Sequence, residues 1–228
     1  MRFLKIFMAI LLLVIVLISV NYLPEAKETT ADSIEQYCVI VDAGHGGKDP
    51  GKVGVNGELE KDINLEIAYK LKEQLEALGM EVLLTRTEDA GLYQESDTNK
   101  KASDMRKRCE FIAENTADAV VSIHQNSYQD ESVWGAQVFY YTHSDKGKIL
   151  ANCIREQIIK GLGGDNDRPV KNNDSYYMLI NTSCPTVIVE CGFLSNPTEA
   201  DNLCDSSYQQ SLAKAISMGV LDFLKAND

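Results

Sequence analysis

What constrains this chain most is the way its short apolar runs end. Val41-Asp42-Ala43-Gly44-His45-Gly46-Gly47, Val121-Ser122-Ile123-His124-Gln125-Asn126 and Val187-Ile188-Val189-Glu190-Cys191-Gly192 each pass from a buried-type strand directly into residues that carry chemistry. Short continuous apolar runs of this kind suit strands covered on both faces, as in parallel sheets. Stretches with helical spacing alternate with them. In residues 61–78, Ile63, Leu65, Ile67, Ala68, Leu71, Leu75 and Leu78 fall mostly at helical spacing, and Gly79 follows as a stop signal. The same reasoning predicts strands at 37–43, 81–85, 119–124, 135–141 and 186–190, and helices at 61–78, 102–115, 146–162 and 208–225. This alternation predicts a single α/β domain, a mostly parallel twisted sheet flanked by helices on both faces.

The N-terminus differs from the rest. Arg2 and Lys5 flank an apolar run from Ile6 to Ile18, the pattern of an export signal. No Ala-x-Ala cleavage site follows, so residues 1–22 read as an uncleaved membrane anchor, with a secreted, processed form as the alternative. The basic flank stays inside and the remainder lies outside, in the cell envelope. Residues 23–36 are polar and read as a linker, leaving residues 37–228 as the folded domain. A net charge of −12 leaves no lysine and arginine stripe to displace phosphate counterions, which excludes nucleic acid as a partner. The six cysteines form no C-x-x-C pair, so a cysteine zinc site is not expected and the thiols read as small buried hydrophobes.

Open α/β sheets bind ligands at the carboxyl ends of their strands. Two of the three histidines, His45 and His124, stand at such ends, and glycines beside His45 permit a sharp turn. Two neutral imidazoles and one carboxylate are the donor set of a catalytic zinc with an open position for water. The carboxylate belongs near the start of the first helix, where Glu58 and Glu60 both qualify. Glu190 occupies a strand-end position suited to an acid that takes the water proton without binding the metal. His143, in Tyr-Thr-His-Ser, reads as a loop residue.

Four segments, in order, resemble the zinc-dependent N-acetylmuramoyl-L-alanine amidases of bacterial cell walls. They are Val-Asp-Ala-Gly-His-Gly-Gly-Lys-Asp-Pro-Gly (41–51), Glu-Lys-Asp-Ile-Asn-Leu-Glu-Ile-Ala (60–68), Ser-Ile-His-Gln-Asn-Ser (122–127) and Pro-Thr-Val-Ile-Val-Glu-Cys-Gly-Phe-Leu-Ser-Asn (185–196). The resemblance implies that His45, Glu60 and His124 hold one Zn2+ ion and that Glu190 is catalytic, which chooses Glu60 over Glu58. It implies hydrolysis of the amide between the lactyl group of N-acetylmuramic acid and L-alanine in peptidoglycan. Arg86 and Arg108 match common family positions and are expected either to pair with a substrate carboxylate or to anchor loops near the cleft. Cys191, unusual after the catalytic acid, is expected to point to the opposite face of its strand. The N-terminal apolar segment, the Trp-Gly-Ala-Gln-Val-Phe-Tyr stretch (134–140) and the short connection after His124 resemble the spore-cortex, germination-specific subgroup. An accessory envelope protein is a further expected partner. The competing expectations are a zinc peptidase acting within stem peptides and a catalytically silent wall-binding regulatory domain.

Overall fold

The computed structural model describes residues 37–163, 166 and 168–226. The expected anchor (1–22) and linker (23–36) lie outside the described residues. Among the described residues, no helix is long and apolar enough to cross a membrane.

Six strands form one sheet: β1 (Cys38–Ala43), β2 (Glu81–Leu84), β3 (Ala119–Asn126), β4 (Gln137–Tyr141), β5 (Lys171–Asn173) and β6 (Thr186–Phe193), in the order β2-β1-β3-β6-β4-β5. The four strands from β2 to β6 in this order run parallel. β4 reverses direction against β6, and β5 follows β4 in parallel. The helices are α1 (Glu60–Ala77), α2 (Lys100–Glu114), α3 (Asp145–Leu162), α4 (Tyr177–Asn181), α5 (Pro197–Cys204) and α6 (Ser206–Ala226). Three short elements, β5, α4 and α5, escape the sequence patterns because each is too brief for its periodicity to register.

Alternation along the strands separates two environments. Val39, Val41 and Ala43, Val121 and Ile123, and Val187, Val189 and Cys191 pack with α1, α3, α5 and α6 into the main core. Cys191 thus points away from Glu190, as expected. On the other face Ile40 and Val120 pack against Cys109 and Ile112 of α2 and Met178 of α4. Further along that face the apolar residues give way to Asp42, Ser122, His124 and Glu190, which line a cavity. One face is therefore filled and the other is opened at the strand ends.

The thiols are all free. Cys109 and Cys191 are buried as expected, but Cys204 is exposed, at the end of the short α5.

The close approach of α3 and α6 depends on Gly219. A Cβ there would sit 2.4 Å from the Ile154 Cα, so only hydrogen fits at that crossing. Gly219→Val therefore forces the two helices apart and is expected to destabilise the domain by about 2–4 kcal/mol. Urea unfolding measures this, and an unchanged midpoint would contradict the packing argument.

Candidate metal centre and catalytic cleft

β1 runs into a left-handed turn. His45 has φ 62°, the one non-glycine among the described residues with positive φ, and Gly46 (130°) and Gly47 (58°) continue the turn. Such backbone costs about 1–2 kcal/mol at a non-glycine residue. Two buried arginines hold it. The Arg108 Nη2 donates to the His45 carbonyl at 2.6 Å and its Nη1 to the Ala43 carbonyl at 2.8 Å. Arg86 donates to the carbonyls of Ala43 (2.8 Å), Gly44 (3.1 Å) and Lys61 (2.7 Å), tying the turn to the first turn of α1.

Arg108 is 1% exposed and Arg86 is 5% exposed, and their donors are taken by protein groups. The expectation that they meet a substrate carboxylate is corrected by this burial; the loop-anchoring expectation describes what they do. Arg108 pairs with Asp42 at 2.6 Å and Asp104 at 2.6 Å. Asp42 also accepts from the Thr85 (2.7 Å) and Ser122 (2.6 Å) hydroxyls. Burial pushes the Asp42 carboxyl up, but the guanidinium and the two hydroxyls outweigh it and hold the group at about 2.

Glu60, the first residue of α1, is 2% exposed and lies between the two histidines. Its Oε2 is 3.2 Å from His45 Nε2, and its Oε1 is 3.0 Å from His124 Nδ1. The backbone N–H groups of Lys52 (2.7 Å) and Gln125 (3.0 Å) donate to the two oxygens and fix the carboxylate. Burial raises the Glu60 carboxyl, yet the imidazoles of His124 and His45 outweigh it and hold it well below the carboxylate range. His45 Nδ1 is 3.0 Å from Asp49 Oδ2, which leaves Nε2 facing Glu60. An orienting carboxylate behind a ligand histidine is a recurrent feature of metal sites. Sequence reasoning missed Asp49, although it lies four residues after His45 within the first motif. Gly44 is also required: a Cβ there would come within 2.3 Å of the His124 ring.

His45, Glu60 and His124 offer donor atoms all within 4.8 Å of one another. The chemistry and spacing fit zinc. Bonds of ~2.0–2.2 Å to a tetrahedral ion place donors about 3.3–3.6 Å apart, close to the contacts observed here. Glu58 does not take part; it is half-buried and accepts the Asn56 N–H at 3.1 Å. His143 lies in a turn against Tyr141, ring centroids 5.3 Å apart, away from this cluster.

Glu190 is the register partner of His124 across the β3–β6 pair. It lines the same cavity of about 230 Å³ as His45 and His124, together with Tyr176 and Tyr177 at the start of α4 and Lys101 and Met105 of α2. Its Oε2 is buried without a hydrogen-bond partner. Burial raises the carboxyl above its ordinary value. A larger depression of about 390 Å³ beside Trp134 and Tyr208 shares none of these residues.

A sequence model of the family described as N-acetylmuramoyl-L-alanine amidase matches residues 39–222. The chain is 35% identical over 188 residues to the germination-specific N-acetylmuramoyl-L-alanine amidase of Bacillus subtilis, covering 81% of this chain and 78% of that protein. Among solved structures it is similar to the CwlD amidase of Clostridioides difficile, determined in complex with the GerS lipoprotein. That likeness has a TM-score of 0.81 and 39% identity over 83% of this chain and 99% of that one. It is also similar to an N-acetylmuramoyl-L-alanine amidase of Clostridium difficile 630, with a TM-score of 0.75 and 30% identity over 84% and 98% of the two chains.

The buried pair under the turn carries a pH signature. Asp42 titrates at about 2 in the folded chain, below its ordinary 3.8. Its contribution of about 2 kcal/mol is therefore complete above pH ~4 and is lost as pH falls towards ~2. Arg108→Met leaves Asp42 buried and unpaired and is expected to cost about 3–5 kcal/mol. Denaturant melts of both proteins from pH 6 to 2 measure this. A variant with wild-type stability, or one that keeps the same acid limb, would contradict it.

Proposed function

Because the chain belongs to the N-acetylmuramoyl-L-alanine amidase family and cleaves the amide between muramic acid and L-alanine in peptidoglycan, we propose that His45, Glu60 and His124 hold one zinc ion and that Glu190 is its catalytic acid and base. The observation that carries this reading is the buried, unpartnered Glu190 oxygen in the same cavity as the three-donor cluster. Bound there, zinc supplies an activated water and a positive charge against the scissile carbonyl.

The remaining work falls to the chain's own residues. Glu190 accepts a proton from the attacking water and delivers it to the nitrogen of L-alanine as the C–N bond breaks and a C–O bond forms. A carboxyl raised by burial suits both halves of this transfer, since its higher proton affinity makes it a better base towards the water while it still yields the proton to the far more basic leaving amine. Glu60, held by two backbone N–H groups, keeps its orientation throughout. Asp49 holds His45 in the tautomer that leaves Nε2 free for the metal. The products are a glycan with a free lactyl carboxylate and an intact stem peptide with a free amine.

Residues 37–228 form the catalytic part, residues 1–22 an uncleaved anchor and residues 23–36 the tether, an arrangement that puts the enzyme outside the cytoplasmic membrane within the envelope. The role proposed is removal of stem peptides in the spore cortex, in keeping with the germination-specific relative. An accessory protein at the membrane surface is a further partner, by analogy with the relative solved together with a lipoprotein.

Glu190→Gln is expected to lower kcat about 10²- to 10⁴-fold without loss of zinc, whereas His45→Ala loses the metal. Metal analysis together with mass spectrometry of digested peptidoglycan separates these outcomes. Wild-type turnover by the first variant, or full zinc loading of the second, would rule out the assigned role. Shortened stems in place of intact ones would move the activity to a peptidase. Deleting residues 1–24 is expected to shift the protein from the membrane to the soluble fraction, and unchanged membrane retention would rule out the anchor.

A further inference from the structure

The catalytic cavity shares Asp49, Lys101 and Asp104 with a second depression of about 280 Å³, which Lys48, Tyr93 and Lys100 also line. Three lysines converge here in a chain whose net charge is −12. Most of the surrounding carboxylates already have partners. Glu95 is shared by Lys48 and Lys100. Asp104 accepts from Arg108 and from the Leu92 N–H, each at 2.6 Å. Asp49 accepts from His45 at 3.0 Å and from the Gly51 N–H at 3.1 Å.

Lys101 is the least satisfied of the three. Its ammonium has only the already occupied Asp49, at 3.5 Å, and the side chain is 73% exposed. It is also the lysine shared by the two depressions. Tyr176, Tyr177 and Met178, which line the same cavity, carry no charge there. Arg108, which also lines the cavity, is 1% exposed and fully engaged. Among the described residues of this cavity, Lys101 is therefore the cation open to a ligand.

We propose that Lys101 is the carboxylate-binding residue of the cleft, taking a free carboxylate of the stem peptide just beyond the scissile amide. The proposal rests on the amidase reading of the site and gives it a direction. Lys101 lies one carboxylate, Asp49, away from His45. Two extended residues span at most about 7 Å, so a carboxylate one or two residues past the cleaved bond reaches this ammonium. The peptide then lies towards Lys101, and the Tyr176 and Tyr177 rings that line the same cavity offer apolar faces to the sugar.

The full-length chain, K101A and K101E are compared on a disaccharide carrying a stem peptide with free carboxylates and on the same compound with those carboxylates amidated. Binding of the free stem peptide is measured in parallel by calorimetry. Wild type is expected to show the lower KM for the acidic form. K101A should raise that KM about fivefold and abolish the preference, as an exposed ion pair allows. K101E should reverse the preference and weaken peptide binding further. An acid-to-amide KM ratio equal in all three proteins would overturn the proposal. A KM raised equally for both compounds would also overturn it, because that result belongs to a disturbance of Asp49 and His45. If wild type releases no peptide from either compound, the amidase reading fails on its own. The calorimetry then decides the subsite: binding lost in K101E supports it, and equal binding overturns it.

Discussion

The site depends on one buried ion pair, Arg108 with Asp42, set beneath the end of β1. Burying two charges is expensive, and such a pair is retained where its geometry accomplishes something that packing alone does not. Here the guanidinium also donates to the carbonyls of Ala43 and His45, the backbone on either side of the left-handed turn. Without these donors the turn would keep its conformational strain, the His45 carbonyl would lose its guanidinium partner and the Ala43 carbonyl would keep only Arg86. Arg86 completes the clamp by joining the same turn to Lys61 at the start of α1. The relative placement of His45 and Glu60 thus follows from two arginines, neither of which is a ligand.

Glu60 provides the second level of organisation. Its two oxygens face different imidazoles, and each is fixed by a backbone N–H. Behind it, Asn64 donates to the Gly44 carbonyl at 3.1 Å and accepts from Gln125 at 3.1 Å. The carboxylate is therefore oriented before any metal arrives, the preorganisation that a catalytic centre requires. The partition of the sheet makes room for this. The face under α1, α3 and α6 is packed with aliphatic side chains, while the other face changes from Ile40 and Val120 to Asp42, Ser122, His124 and Glu190 within two steps of the strand.

The unpaired Glu190 oxygen is the counterpart of that organisation. A buried polar atom without a partner costs stability, and proteins tolerate it mostly where function needs it. Gln125 beside Glu60 also leaves an oxygen unpartnered, but it does not line the cavity, whereas the Glu190 oxygen belongs to a residue that does and fits the proton-transfer role proposed for it. The cavity lining is mixed in character as well: it includes the Tyr176 and Tyr177 rings and the Lys101 ammonium.

Much of this was written in the sequence. Apolar runs and helical periods specified an α/β domain because period and burial are local properties of the chain, and they placed His45, His124 and Glu190 at strand ends. The ordered motifs selected Glu60 over Glu58. The reversed direction of β4, the short elements β5, α4 and α5, and the exposure of Cys204 were not legible, since strand direction and brief helices depend on what packs beside them. Nor was the role of the arginines: Arg108 lies 66 residues from Asp42, and only the folded chain brings them together. The sequence by itself determined which side chains are the candidates for the chemistry. The tertiary structure decided which of them line the cavity and which hold the backbone, because that distinction rests on burial and on hydrogen bonds between segments far apart in the chain.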